Sequence, residues 1–323
     1  MNIIELHDDY KSIENTAIAL GNFDGIHIGH QNLIERMIEI SKINNLISSV
    51  LIFENHTKSI TSNTSPSLLT NNEQKLNILK KLGVENIYLM KFDEKIMKLS
   101  PYEFINNILI DKLNCKSVVV GYNYKFGYKA SGNTDTLKKI CSENDIYTEI
   151  VNPVYHEDKI VSSTLIRSLL TYGKIDIANK LLGRFYTIKG EVVHGKGIGT
   201  KLGFPTANIK LTDNFVIPKN GVYSTLTTIG DKTYKSATSV GFNPTFQEKS
   251  LKIENHIIGF NDLLYGNIID ISFVEYIRPE ISFDKVEDLV NRMIEDVNYI
   301  KKKNWYEIIH LWQEKWKKER PLI

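Results

Sequence analysis

Two hydrophobic periods divide the chain. Over the first half, short β-branched runs alternate with longer stretches whose apolar residues recur at helical spacing. The runs are TAIALGNF (16–23), SSVLIF (48–53), NIYLMKF (86–92), SVVVGYN (117–123) and TEIVNPVY (148–155). Between the first two, QNLIERMIEISKI sets Leu33, Ile34, Met37 and Ile38 on one helical face. SPYEFINNILIDKL opens with Ser100 as an N-cap, Pro101 in the first helical position and Glu103 completing a capping box. Apolar strands alternating with helices predict an α/β domain, a Rossmann-like parallel sheet covered on both faces. Ligands are then expected outside the carboxyl ends of its strands.

After Leu182 the period changes to consecutive strands: FYTIKGEVVHG, GVYSTLTTIG, KTYKSATSVG, LKIENHIIGF and NIIDISFVEYIR, with Gly230-Asp231 as a hairpin turn. Five or six strands in so short a span predict a small closed β-barrel. The expected domains are therefore residues 1–183 and 184–323. Helices follow the barrel. FDKVEDLVNRMIEDVNYI gathers Phe283, Val286, Leu289, Val290, Met293 and Val297 on one face, and NWYEIIHLWQEKW gathers Trp305, Ile308, Ile309, Trp312 and Trp316. The asparagine-rich stretch around 55–73 reads as a loop.

Composition narrows the class. The 323 residues carry 40 Lys and Arg against 38 Asp and Glu, a balance that disfavours a dedicated nucleic-acid binder. Cys115 and Cys141, the 2 cysteines, suit neither a disulfide framework nor a CxxC metal site. No apolar run approaches the roughly 18 residues that span a bilayer, and no secretory pattern opens the chain. These features point to the cytoplasm, with no membrane, nucleic-acid or obligate protein partner implied.

The chemistry-bearing segment of the first half is ALGNFDGIHIGH (19–30). A strand delivers the chain to Gly21, Asn22-Phe23-Asp24-Gly25 turns it, and His27-Ile28-Gly29-His30 opens a helix. Two histidines at a helix start can face one ligand, where free N–H groups and the dipole favour an anion. A histidine pair that merely caps its helix is the commoner arrangement. Ser162-Ser163-Thr164-Leu165-Ile166-Arg167 shifts the balance by adding hydroxyls and a guanidinium at a second helix start. Together they suit the phosphates of ATP during attack at the α-phosphorus.

In the second half, GEVVHGKGIGTKLGFPTAN (190–208) holds Gly195, Gly197, Gly199 and Gly203 in a loop able to wrap phosphates. It is neither a Walker A loop nor a dinucleotide fingerprint, because Lys201-Leu202 lacks the hydroxyl and Pro205 stands where a helix would propagate. Thr206 and Asn208 project the same way from an extended segment and offer hard oxygen ligands to Mg²⁺. Glu254, inside a predicted strand, is a candidate proton acceptor, although an outward solvated carboxylate is the commoner case.

These residues carry a family resemblance over essentially the whole chain. GNFDGIHIGH with SSTLIR resembles the FMN adenylyltransferase domain of bacterial bifunctional riboflavin kinase/FAD synthetases, supported by VVVGYNYKFGYKASGN (118–133) and LLGRFY (181–186). GKGIGTKLGFPTAN, SVGFNPTF (239–246), the Glu254 strand and LLYG (263–266) resemble the riboflavin kinase module. The resemblance implies two ATP- and Mg²⁺-dependent reactions, riboflavin to FMN and FMN to FAD with release of pyrophosphate. It implies that Glu254, His27, His30 and Arg167 are catalytic. ATP would be bound by Gly21, Phe23, Asp24, Gly29, Ser163, Thr164 and, in the barrel, by Gly195, Gly197, Gly199, Gly203 and Pro205. Asn22 and Asn123 would meet the flavin, and Thr206 and Asn208 the metal. The sequence departs from the family around His56, which usually lies among prolines, and at Asn255 and Gly259. HIGH also occurs in class I aminoacyl-tRNA synthetases, but KIMKLS (95–100) falls inside the nucleotide fold rather than after it, and no basic surplus for tRNA is present. Another adenylyl- or cytidylyltransferase fused to a barrel, and an RNA-reading barrel, are the alternatives.

Overall fold

A computed structural model describes residues 1–54, 67–195, 197–244 and 249–304. The chain forms two compact units, Met1–Ser163 and Thr164–Ile323.

The first unit contains β1 (Asn2–Glu5), β2 (Thr16–Leu20), α1 (Ile28–Ile43), β3 (Ile47–Phe53), α2 (Asn72–Leu82), β4 (Asn86–Met90) and α3 (Glu94–Met97). There follow α4 (Pro101–Glu103, continued by π-helical turns over Phe104–Ile110), β5 (Cys115–Gly121), α5 (Thr134–Ser142), β6 (Tyr147–Val151) and a small hairpin of β7 (Tyr155–His156) and β8 (Lys159–Ile160). Six parallel strands lie in the order β1-β4-β3-β2-β5-β6. Strand β2 shows why the sheet is covered twice. Ile18 and Leu20 join Val118, Val120 and Leu109 on one face, while Ala17 and Ala19 join Val50, Ile34 and Met37 on the other. The strand order reverses between β2 and β5, the place where such sheets receive ligands.

Two elements depart from the sequence expectation. Strand β1 is a short, largely exposed edge with no apolar run to announce it. The end of the asparagine-rich stretch is the start of α2: Asn71 caps it in a reciprocal box with Gln74, and Gly83 closes it at φ +90°. His56 lies outside the described residues. The Ser100–Glu103 capping box is present as expected.

The second unit holds α6 (Ser163–Thr171, beginning on the last residue of the first unit), α7 (Ile175–Leu182), β9 (Tyr186–Val193), α8 (Ile198–Lys201), β10 (Ala207–Leu211), β11 (Gly221–Ile229), β12 (Lys232–Pro244), β13 (Lys249–Ile257), β14 (Ile268–Arg278) and α9 (Val286–Lys302). Its six strands close in the order β10-β13-β12-β11-β14-β9, every pairing antiparallel. Gly230, at φ +56°, supplies the left-handed residue of the β11–β12 turn.

The unit boundary falls earlier than the change of period at 183, because α6 and α7 dock on the barrel. Buried Asn179 donates to the Phe273 carbonyl at 2.9 Å and accepts from the Tyr186 amide at 2.8 Å, stitching α7 to β14 and β9. Helix α9 also differs. Phe283 precedes it, Val286 is 57% exposed, and the buried residues are Asp296, Val297 and Ile300. Leu289, Val290 and Met293 of the expected face are half-buried and Val297 is buried, and beside it Arg278 of β14 reaches Asp296 at 2.8–2.9 Å. The tryptophan-bearing segment 305–316 lies outside the described residues.

The barrel interior is partly polar. Thr225, Thr227, Ser236, Thr238 and Asn255 are all 0% exposed and close a hydrogen-bond ring with contacts of 2.7–3.1 Å. Asn255 therefore points into the barrel, and strand alternation turns its neighbour Glu254 to the outer face.

Candidate functional site

Strand β2 ends in the turn Gly21–Ile26, which the protein holds tightly. Asp24, 3% exposed, accepts from the Leu69 and Thr70 amides at 3.1 and 3.2 Å, and Thr70 Oγ1 accepts from the Gly25 amide at 2.9 Å. Ser163 Oγ donates to the Asp24 carbonyl at 2.8 Å, so the start of α6 is tied to this turn. Phe23 is fully buried under Gly21, its ring edge-on to His30 at 5.4 Å. The carboxylate of Asp24 and the ring of Phe23 thus build the turn from inside.

His27 is the N-cap of α1: its Nδ1 accepts from the His30 amide at 3.4 Å, and the two imidazoles stack at 3.8 Å with 17° between planes. Capping and pairing coexist, so the cap explains how the pair is fixed and does not compete with it. Gly29 lies beneath this stack, where a Cβ would stand 3.2 Å from the His27 ring. The structure brings together Gly21, Phe23, Asp24, His27, Gly29, His30 and Ser163. Asn123 follows β5, its Oδ1 beside Gly121 at the carboxyl edge of the sheet, and Asn22 is exposed in the turn. Thr164, exposed, and Arg167, half-buried, lie in the first turns of α6 and belong to the second unit.

Lys75 of α2, which the sequence reading passed over, also lies at this edge. It is buried, bonds Asn72 Oδ1 at 3.4 Å, and that same Asn72 donates to the Glu54 carbonyl just past β3. Burial holds the ammonium below the ordinary lysine pKa, with the Asp24 carboxylate working in the opposite direction. A lysine at helical spacing reads as a solvated residue, so nothing local announces it.

The barrel site is built on the β10–β13 ladder, where Asn208 pairs with Glu254 and Ala207 with Asn255. Glu254 meets Lys252 Nζ at 2.8 Å through Oε2. His256 continues the same outer face, its Nδ1 2.9 Å from the Pro205 carbonyl and its ring edge-on to Phe204. The segment before β10 is thereby pinned to the strand of Glu254.

The glycine loop packs onto the oxygen donors. A Cβ on Gly195 would collide with the Asn208 amide, and one on Gly199 with the Phe204 carbonyl, with Thr206 Oγ1 3.0 Å away. At 199 glycine is required for close approach of backbone, whereas at 195 an added Cβ would displace the Asn208 amide. Gly197 and Gly203, at φ +66° and +82°, frame the short helix α8. At the loop's entrance His194 stacks on Tyr265 at 3.9 Å. Thr206 and Asn208 offer neutral oxygens beside a carboxylate, a donor set that fits a Mg²⁺ otherwise ligated by water and phosphate. Lys252, His194 and His256 escaped the sequence reading. Positions two before and two after Glu254 were the available signal for two of them.

A parallel sheet with a histidine-opened helix at its carboxyl edge, followed by a barrel with a glycine loop over oxygen donors, defines a two-domain, ATP-using transferase. An FAD synthetase profile matches residues 9–165 and a riboflavin kinase profile residues 182–304. The bifunctional riboflavin kinase/FMN adenylyltransferase of Buchnera aphidicola from Schizaphis graminum is 35% identical over 302 residues, 92% of this chain and 96% of that protein. The Listeria monocytogenes protein of the same name is 36% identical over 304 residues, 92% and 96% of the two chains. A crystal structure from Streptococcus pneumoniae, described as a macrolide-efflux protein, has a TM-score of 0.86 at 31% identity and covers 94% of this chain and 99% of that one. Among the described residues no helix is long and apolar enough to cross a membrane. The chain belongs to the bifunctional riboflavin kinase/FMN adenylyltransferase family and is an enzyme of flavin cofactor biosynthesis.

Proposed function

We propose that the two half-reactions run on the two sets of residues described above, the kinase on the outer face of the barrel and the adenylyltransferase at the carboxyl edge of the sheet. The observation that carries the reading is the Asn208–Glu254 pair beside a glycine loop packed on Asn208 and Thr206.

In the barrel, Glu254 accepts the proton of the ribityl 5′-hydroxyl as that oxygen attacks the γ-phosphorus of ATP. The bond to the bridging oxygen breaks, leaving ADP and FMN. Gly195, Gly197, Gly199, Gly203 and Pro205 border the phosphates. Thr206 and Asn208 would hold the Mg²⁺ that accompanies ATP, which supplies charge neutralisation on the transferring phosphoryl group.

In the first domain the FMN phosphate is already anionic, so no strong base is needed. An FMN phosphate oxygen attacks the α-phosphorus and pyrophosphate leaves. His27 and His30 neutralise charge at the α-phosphate, while Ser163, Thr164 and Arg167 grip the departing phosphates. Gly21, Phe23, Asp24 and Gly29 shape the nucleotide edge, and Asn22 and Asn123 meet the flavin. The functional boundary lies at 183/184. We place the enzyme in the cytoplasm, with small molecules as its substrates and no nucleic-acid, membrane or obligate protein partner.

The test is purified protein with riboflavin, ATP and Mg²⁺, products resolved by chromatography. FMN appearing first and FAD second is expected. FAD formed from added FMN without any phosphorylation of riboflavin would remove the kinase assignment.

A further inference from the structure

We propose that Lys252 is a positioning residue of the kinase half-reaction: its ammonium holds one oxygen of the Glu254 carboxylate and leaves the other to face the substrate hydroxyl. This rests on the reading of Glu254 as the proton acceptor.

Strand alternation puts the two side chains together. Ile253 and Asn255 are 2% and 0% exposed inside the barrel, so Lys252 and Glu254 share the outer face. There Lys252 Nζ lies 2.8 Å from Oε2, with the side chains 43% and 30% exposed. Among the described residues Oε1 has no hydrogen-bond or ion-pair partner. The neighbours of Glu254 across the two ladders, Asn208 and Ser239, are uncharged. His256, two residues on, is committed to the Pro205 carbonyl. The Glu280 carboxylate stands where a side chain on Gly241, opposite Lys252, would be. The ammonium nonetheless pairs with Glu254.

A half-exposed glutamate without a partner samples several rotamers, and a proton acceptor works only when its oxygen sits within hydrogen-bond reach of the reacting hydroxyl. The Lys252 contact selects one orientation. A partly exposed ion pair adds little to stability, so removing it should disturb geometry without unfolding the barrel.

The experiment is steady-state kinetics on full-length Lys252→Met, Glu254→Gln and the double variant with riboflavin, ATP and Mg²⁺. FMN adenylylation in the same preparations serves as the folding control. Lys252→Met should lower kcat for phosphorylation about tenfold or more, with KM for riboflavin and for ATP within twofold of wild type. In the Glu254→Gln background the same substitution should cost nothing further, because no acceptor remains to be oriented. A raised KM for ATP at retained kcat would make Lys252 a nucleotide contact and overturn the proposal. So would an additive loss in the double variant, or a near-wild-type kcat for Lys252→Met while Glu254→Gln is crippled. A near-wild-type Glu254→Gln overturns the acceptor assignment itself.

Discussion

Asn208 and Glu254 face each other across the β10–β13 ladder, 46 positions apart in sequence and adjacent on the outer wall of the barrel. In the proposed reaction one would offer an oxygen to the metal–nucleotide complex and the other a base to an alcohol. The register of one antiparallel pair therefore decides whether they can serve the same reaction, since a slip of one residue would turn Glu254 inward.

Glu254→Gln keeps the size and most of the polarity of the side chain but removes its capacity to take a proton. Riboflavin phosphorylation should fall by about 10²–10⁴-fold in kcat. FMN adenylylation, measured in the same preparation, should stay near wild type. Retention of phosphorylation within a few-fold would eliminate Glu254 as the base.

His27 both caps α1 and stacks on His30, and the two contributions can be separated. Asn is a strong N-cap, so His27→Asn should keep helix stability within a few tenths of a kcal/mol, whereas His27→Ala should cost about 1 kcal/mol. Both should abolish FAD formation from FMN while sparing phosphorylation. The checks are urea denaturation and separate assays of the two half-reactions. Full adenylylation by the Asn variant would reduce His27 to a cap.

The glycines at 195 and 199 are set by close approach to Asn208, Thr206 and the Phe204 carbonyl. Gly199→Ala would force backbone apart, and riboflavin phosphorylation should drop at least tenfold with adenylylation unchanged. Normal phosphorylation by this variant would show that the loop can withdraw from Thr206 without consequence.

Asp296 is 4% exposed and bound to Arg278 through two nitrogens, at 2.8 and 2.9 Å. Asp296→Ala strands a buried guanidinium and should destabilise the second unit by about 3–5 kcal/mol. The loss should appear as a lowered denaturation midpoint in a fragment beginning at residue 164. That fragment retains the Asn179 bonds to β9 and β14, so it should also be more stable than one beginning at 184. Equal midpoints for the two fragments would show that α7 adds nothing to the barrel.

The sequence by itself determined the two architectures, because each rests on a local period. Strands such as TAIAL and SVVVG are apolar on both sides and alternate with helical stripes, which only a doubly covered parallel sheet satisfies. The strands after Leu182, joined by turns such as Gly230-Asp231, close on themselves. The GNFDGIHIGH and GFPTAN segments were equally legible, since each holds its donors within a few residues. Tertiary structure decided what depends on distant partners. Helix α7 carries no local sign of its contacts, but Asn179 finds its partners on β9 and β14 and ties the helix to the barrel. On α9 the apolar face is joined in its burial by a charge, Asp296, which hydrophobic counting ignores and which is held by Arg278. Lys252 and Lys75 look like ordinary surface lysines in sequence. One gains meaning from the strand pleat that sets Glu254 two residues along the same face, a spacing the sequence did carry; the other from burial at the sheet's carboxyl edge. Burial of that kind comes from packing between distant segments, which no local pattern encodes.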